Sequence, residues 1–183
     1  MDRNDGKEYM DKNFLRQGKL VSLRMIDKED TPLIVSWRNN ERIKNHFIYR
    51  EFFTADIHEN WLKNMVGTGK VVQMIICENE NDYRPVGSVY FRYSDDDKTE
   101  AEYGIFIGED DATGKGYGNE TAILAVDYAR KELDLKKLML RVFTYNVAAI
   151  KSYENAGFRK TADLPMVECS DGQKSDMILM ELK

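Results

Sequence analysis

A glycine-rich turn is the part of this sequence whose residue types and spacing most directly suggest chemistry. It reads Gly114-Lys115-Gly116-Tyr117-Gly118, after a strand-like run and before a helix-like run that starts near Asn119. A turn of this kind directs several unpaired backbone N–H groups, and the positive end of the helix dipole, towards one point. We therefore predict that it binds an anion, most naturally a phosphate.

Two nucleotide-binding signatures do not fit this turn. A P-loop needs Lys followed by Ser or Thr after its last glycine, whereas Gly118 is followed by Asn119. A dinucleotide fingerprint opens the first strand-helix-strand unit, whereas this turn comes after several predicted strands. On the turn alone, an ordinary strand-to-helix connection remains the alternative.

A second segment favours the functional interpretation. The run from Leu138 to Thr144 alternates as a strand and leads into a helix that Asn146 is placed to cap and Gly157 to end. Asn146, Ile150 and Tyr153 share one face of this helix, because they are separated by about one and two turns. A polar cap and a phenol would therefore point in the same direction.

The order of strand, glycine turn, helix, strand, Asn-capped helix with Tyr, and then Gly157-Phe158 resembles the GNAT superfamily of acetyl-CoA-dependent N-acetyltransferases. The resemblance implies an α/β fold of the α+β type, in which helices flank a mixed, mostly antiparallel sheet with a splayed central strand. Residues 1–18 would form a polar N-terminal segment and residues 19–183 a single N-acetyltransferase domain.

The resemblance also implies roles for both motifs, with acetyl-CoA as the acetyl donor. The loop would bind the coenzyme's pyrophosphate, strand 104–107 its pantetheine arm as an added pseudo-strand, and Tyr153 would protonate the departing thiolate. Asp111 stands where the family usually has Gln or Arg, which places a negative charge beside the loop. The predicted coenzyme-binding residues are Ile105, Ile107, Thr113, Gly114, Lys115, Gly116, Tyr117, Gly118 and Asn146.

Acetyl transfer to an amine also needs a proton acceptor and an oxyanion partner. A primary amine with a lysine-like pKa of about 10.4 is protonated at neutral pH, and only its neutral form attacks a thioester. Glu102, next to the predicted pantetheine strand, is the predicted base, although alternation leaves open that it faces solvent. A backbone N–H near Ile105 is the predicted oxyanion donor. Tyr153 could instead be plain core packing.

The predicted acceptor site lies in the first two helices, with Trp37-Arg38-Asn39 and an aromatic cluster from Phe47 to Phe53. This Trp-Arg-Asn run is similar to that of bacterial nucleotide-linked amino-sugar N-acetyltransferases, and the overall pattern also resembles ribosomal-protein-alanine N-acetyltransferases. We predict that Trp37, Arg38 and Asn39 bind a small amine-bearing metabolite such as an amino sugar, with Arg38 on a phosphate or carboxylate. A core Trp37 with a surface Arg38, a protein N-terminus as acceptor, and a non-catalytic acyl-CoA-binding regulatory domain remain alternatives.

Composition sets the remaining expectations. A chain of 183 residues with 42% hydrophobic residues indicates one folded domain. The net charge of -5 argues against a nucleic-acid partner and agrees with a cationic amine substrate. A polar start without a signal peptide, and the lack of a membrane-length apolar run, predict a cytoplasmic protein without a membrane partner. The two cysteines form no metal or disulfide pattern, so no metal site is expected.

The remaining elements follow from periodicity and caps. Leu20 to Ile26 reads as a first strand, and Thr31-Pro32 starts a first helix. Thr54 is predicted to cap a second helix that carries an apolar stripe. That stripe consists of Ile57, Trp61, Leu62 and Met65. A three-stranded meander from Val71 to Ile107 and a final hairpin-like pair after Phe158 complete the predicted sheet.

Overall fold

A computed structural model of the protein describes residues 13–94 and 96–182. Within these residues, eight strands form one sheet in the order β1-β2-β3-β4-β5-β6-β8-β7. The strands are β1 Phe14–Gln17, β2 Val21–Met25, β3 Val71–Glu78, β4 Arg84–Tyr93, β5 Glu100–Ile107, β6 Lys137–Phe143, β7 Phe158–Glu168 and β8 Lys174–Leu182. The helices are α1 Thr31–Asn39, α2 Glu41–Lys44, α3 Ala55–Trp61, α4 Tyr117–Lys131 and α5 Val147–Asn155.

Strands β5 and β6 are the only parallel neighbours among the described strands, and they separate soon after they meet. Their pairing covers Glu100–Glu102 against Lys137–Met139. Further along, β5 continues against β4 as far as Ile107, while β6 continues against β8. A wedge-shaped gap therefore opens between β5 and β6, and alternate backbone groups of β5 face it. This confirms the predicted mixed sheet with a splayed central strand.

The two faces of the sheet carry different helices, and we name them after α4 and α1. On the α4 face, Tyr103 and Ile105 of β5 pack with Ala122 and Ala125 of α4 in the main core. On the α1 face, Phe106 packs with Trp37 in a second cluster. Because side chains alternate along a strand, Glu102 and Gly104 lie on the α1 face with Phe106.

The local signals for the two motif helices are confirmed. Asn146 caps α5 by accepting a hydrogen bond from the Ala149 N–H, and Gly157, just after the helix, has a φ of 106°. Thr54 likewise caps α3 through its side chain, and Pro32 lies in the first turn of α1. These caps fix where each helix begins relative to the sheet.

Strand β1 lies inside the predicted polar N-terminal segment 1–18 and pairs with β2, whereas residues 1–12 lie outside the described part. Of the predicted apolar stripe, Leu62 packs against the second core cluster, whereas Ile57 is 46% exposed and lines an open cleft with Trp61. The buried residue of α3 is His58. No helix among the described residues is long and apolar enough to cross a membrane.

Candidate active site

A cavity of about 780 Å³ passes through the gap between β5 and β6. At one end it reaches the glycine turn after β5, and at the other it reaches α1, α3 and the segment between them. Through this gap the cavity opens onto both the α4 face and the α1 face of the sheet. The cavity brings together predicted residues from both motifs, namely Glu102, Ile105, Ile107, Thr113, Gly114, Gly116, Gly118, Asn146 and Tyr153, and it includes Arg38.

The glycine turn has the geometry of an anion-binding loop. Gly114 and Gly116 have φ angles of 72° and 84°, in the left-handed region that favours glycine. Gly116 is the N-cap of α4 and supplies no side-chain hydrogen bond to the helix start. A Cβ built at Gly114 or Gly118 would meet no described atom within 4 Å. The N-terminal N–H groups of α4 therefore face open space that a phosphate can enter.

Two residues of this turn take a different position from the one predicted. Tyr117 points inwards, and its hydroxyl donates a 3.0 Å hydrogen bond to the carboxylate of Glu78, which is fully buried. Only the backbone of Tyr117 is left to face a ligand. Lys115 is exposed and does not line the cavity, and its Nζ lies 5.9 Å from the Tyr117 ring centroid.

Glu78 is held ionised by its neighbours. Burial acts to raise the pKa of its carboxyl, but hydrogen bonds from Arg84, Asn81 and Tyr117 outweigh burial, so that the pKa lies below its ordinary value. Arg84 also binds both carboxylate oxygens of Asp111 at 3.1 Å. The negative charge of Asp111 beside the loop is thus compensated by an arginine that is itself anchored on β3.

Tyr153 and Asn146 lie on the α5 side of the gap, as their shared helical face predicted. Tyr153 is 8% exposed, and its ring makes an edge contact with Tyr103 at 5.9 Å between centroids. Burial, with a smaller contribution from Tyr90, raises the pKa of the Tyr153 hydroxyl above its ordinary value. At neutral pH this hydroxyl keeps its proton and can donate it into the cavity.

Glu102 faces the cavity, but its carboxylate is already shared by two arginines. Arg141 Nε donates to Oε1 at 2.8 Å, and Arg92 donates to Oε2. Burial acts to raise the pKa of Glu102, and these two arginines outweigh it, so that the pKa lies below its ordinary value. A carboxylate in this setting is a weaker proton acceptor than an unpaired one, and the general-base role of Glu102 stays a prediction.

Tyr90 forms the floor of the cleft on the α1 face. It pairs with Gly104 across β4 and β5, and its ring lies over that glycine, so that a Cβ at position 104 would overlap the ring. Trp61 packs edge-on against Tyr90 at 6.4 Å between centroids. Gly104 is thus required by the close approach of Tyr90, which places a phenol hydroxyl beside the gap.

The three predicted acceptor-binding residues separate in space, and only Arg38 reaches the cavity. Its guanidinium carbon lies 3.8 Å from the Phe47 ring centroid and 4.7 Å from that of Phe53. Asn39 holds this arrangement indirectly, because its side chain both donates to and accepts from the backbone of Phe53. Trp37 is 3% exposed and donates to the Glu109 carboxylate at 2.7 Å, so its assignment to the acceptor site is wrong.

The charge of the cleft is opposite to that of the chain. Among the described residues its lining contains four arginines, Arg38, Arg42, Arg92 and Arg141, and one carboxylate, that of Glu102, while Arg42 is paired with Asp110 at 2.8 Å. The chain as a whole carries a net charge of -5. Net charge therefore gives no guide to the charge of the cleft lining.

Sequence reasoning missed Tyr90, Arg92 and Arg141. A usable signal was present in the strands themselves. Arg92 and Glu102 occur on interior strands of the sheet, where charged residues are rarely buried unless they are paired. Alternation places Arg92 on the same face as Tyr90, two residues earlier.

Comparison with known proteins agrees with this geometry. The family model described as an acetyltransferase (GNAT) domain matches residues 21–159. The chain belongs to the GNAT family.

Among curated sequences, the uncharacterized protein MJ1062 of Methanocaldococcus jannaschii is 31% identical over 154 residues, which cover 84% of this chain and 31% of that protein. The uncharacterized N-acetyltransferase YycN of Bacillus subtilis is 44% identical over 48 residues, or 26% of this chain and 30% of that protein. The matched segments thus span 31% and 30% of the length of these two relatives.

Solved GNAT structures share the fold. Spermidine N-acetyltransferase from Vibrio cholerae, crystallised with CoA and spermine, superposes with a TM-score of 0.81 at 22% identity, covering 90% of this chain and 96% of that one. An acetyltransferase of the GNAT family from Bacillus anthracis superposes with a TM-score of 0.76 at 16% identity, covering 91% and 96%. At these identities the likeness establishes the architecture and leaves the acceptor to be argued from the cleft.

Proposed function

We propose that this GNAT protein is an acetyl-CoA-dependent N-acetyltransferase that acts on a small primary amine. One observation carries the proposal: a single cavity joins a glycine-rich anion loop and a protonated tyrosine on the α4 face to an arginine-lined cleft on the α1 face. The donor would enter from one face and the amine from the other. Both would meet in the gap between β5 and β6.

The residues of the loop and gap fit coenzyme A. The N–H groups at the start of α4 suit a diphosphate, and the unpaired backbone edge of β5 suits an extended amide-bearing arm. Asn146 lines the same cavity from the cap of α5. The bound coenzyme would supply an acetyl thioester, from which the amine displaces the thiolate directly, without an acyl-enzyme.

Tyr153 is the proposed proton donor to the leaving sulfur. Tyr153 lines the cavity, its hydroxyl forms no hydrogen bond to another described residue, and burial raises the pKa of that hydroxyl. A phenol that stays protonated at neutral pH can give its proton to a thiolate as the carbon–sulfur bond breaks. Near Ile105, a backbone N–H of β5 remains the proposed oxyanion donor.

The amine must lose a proton before it attacks, because only its neutral form is a nucleophile. We assign Glu102 to holding Arg92 and Arg141 in place, with water accepting the proton. The general-base role that the sequence suggested for Glu102 is the competing hypothesis.

The proposed acceptor is a small amine-bearing metabolite such as an amino sugar. The aromatic walls Phe47 and Phe53 suit a ring, and the cleft is a bounded cavity of the size that small ligands occupy.

The test is release of free thiol from acetyl-CoA across a panel of amino sugars, polyamines and alanine-ended peptides, with the acetylated product identified by mass spectrometry. Tyr153→Phe serves as the matched inactive variant. Tight coenzyme binding with no product from any amine would favour a non-catalytic acyl-CoA-binding domain.

A further inference from the structure

The cleft contains a cation, Arg38, that forms no ion pair with a described residue, although the charge of Glu51 acts on it from a longer distance. Arg38 makes one hydrogen bond, a 3.3 Å contact to the Tyr49 carbonyl, and its buried Nε has no partner. Among residues 13–94 and 96–182 it forms no ion pair. Its guanidinium is held between the rings of Phe47 and Phe53, which fix its plane but supply no negative charge.

Two further arginines face the same space from the sheet. Arg92 on β4 and Arg141 on β6 lie on the α1 face, on either side of Glu102 of β5. One carboxylate shared by two arginines leaves an excess positive charge. Tyr90 lies close enough to feel the charges of Glu102 and of all three arginines. Arg92 and Arg141 keep 42% and 39% of their side chains exposed, whereas Arg38 has a buried Nε without a partner. An enclosed guanidinium group without an anion is costly.

From this juxtaposition we infer that Arg38, Arg92 and Arg141 form an oxyanion subsite in the acceptor cleft, and that the acceptor carries a phosphate or carboxylate besides its amine. The subsite is distinct from the glycine turn. Glu102 and Ile107 are five residues apart on β5, which corresponds to about 16 Å, and the turn lies beyond Ile107. The two anion sites also lie on opposite faces of the sheet.

The subsite carries a consequence for polyamines. A polyamine is a flexible polycation, and the cleft offers it Arg38, Arg92 and Arg141, with one carboxylate that is already paired. The fourth arginine, Arg42, is paired with Asp110. Like-charge contacts of this kind select against a ligand strongly. We therefore expect a different acceptor class from the spermine bound in the Vibrio cholerae structure, although the folds superpose well.

The test uses matched amines that differ only in the anion, measured first by binding. Calorimetry is performed on the protein saturated with CoA, so that the glycine turn is filled. Glucosamine 1-phosphate is compared with glucosamine, and β-alanine with β-alaninamide, with spermidine as the polycation. We expect the member with the phosphate or carboxylate, in at least one pair, to bind tenfold to a hundredfold more tightly than its partner. This difference in affinity should shrink at high salt. The pair that shows the effect distinguishes phosphate from carboxylate.

Variants test the residues. Arg38→Gln and Arg141→Gln should each remove most of the preference for the anionic amine. Arg38→Lys should restore only part of it, because lysine lacks the planar guanidinium fork. The control, Arg159→Gln on the far strand β7, should leave the preference unchanged. Equal binding of charged and neutral partners, or tighter binding of spermidine, overturns the inference. The inference rests on the proposed function only in calling the bound amine an acceptor. An anion preference without acetyl transfer would refute the proposed function and leave the subsite standing. Efficient acetylation of spermidine would support the function and refute the subsite.

Discussion

Replacing Gly104 with alanine tests the floor of the cleft, because the added methyl group would overlap the ring of Tyr90. The ring must move on the order of 1 Å to restore van der Waals contact, and overpacking of this kind costs about 1–3 kcal/mol. Alanine is favoured over glycine in a strand by roughly 0.5–1 kcal/mol, which offsets part of the cost. We therefore expect Gly104→Ala to destabilise the protein by about 1–2 kcal/mol.

The same substitution should have the opposite sign when the ring is absent. In a Tyr90→Ala background the methyl group meets open space, so only the strand preference of alanine remains, about 0.5–1 kcal/mol in favour of the variant. The coupling between the two positions is then about 1.5–3 kcal/mol, well above the scatter of additive pairs.

Urea unfolding of the four proteins in this cycle, followed by circular dichroism, gives the coupling free energy directly. Tyr49→Ala is the matched control, because Tyr49 is 70% exposed at the rim of the cleft and should add independently to Gly104→Ala. If the Tyr90 and Gly104 substitutions are additive within about 0.5 kcal/mol, the ring does not lie over the glycine, and the proposed position of the Tyr90 hydroxyl is lost with it.

Three other predictions concern the coenzyme loop, the proton donor and the buried carboxylate. Gly118→Val should leave the fold intact, because a Cβ there meets no described atom within 4 Å. Calorimetry should nevertheless show the affinity for CoA reduced by at least about 10²-fold, because the side chain occupies the space for the phosphate. A near-normal affinity would remove the loop from the proposal. Tyr153→Phe should slow acetyl transfer about 10²-fold with unchanged coenzyme affinity, and because burial raises the pKa of Tyr153, wild-type turnover should show no loss from its ionisation below about pH 10. The pKa of Glu78 in the folded protein lies below its ordinary value of 4.5, so its contribution to stability is complete above about pH 4.5 and is lost as the pH falls through the folded pKa. Below about pH 4.5, thermal stability should therefore fall more steeply with pH for the wild type than for Glu78→Gln. Equal slopes would contradict the buried network.

The elements and the two motifs were predictable because local signals specify them. Asn146 and Thr54 are caps, Gly116 and Gly157 adopt positive φ, and a 3.6-residue period places the apolar face of α4. Each of these signals acts within a few residues of the chain. The splayed strand followed from the family resemblance, since no local pattern shows where two parallel strands separate.

The acceptor cleft was predicted less well, because its members meet only through the sheet register. Arg92 is opposite Glu102 by strand pairing, and Arg141 reaches the same carboxylate from 39 residues away. Trp37 and Arg38 are adjacent in sequence, yet a helix turns neighbouring residues about 100° apart, so one enters the core and the other the cleft. Burial of Tyr117 against Glu78 likewise depends on a contact 39 residues away that no motif reveals.

The wedge between β5 and β6 also has a kinetic consequence. It opens onto both faces of the sheet, so two ligands that approach from opposite sides do not obstruct each other's entry or exit. In the proposed reaction, neither reactant then needs to arrive first, and each product leaves by the side on which its precursor entered. Free CoA should accordingly compete with acetyl-CoA alone, and the acetylated amine with the amine alone, so that product inhibition traces the two separate routes through one opening in the sheet.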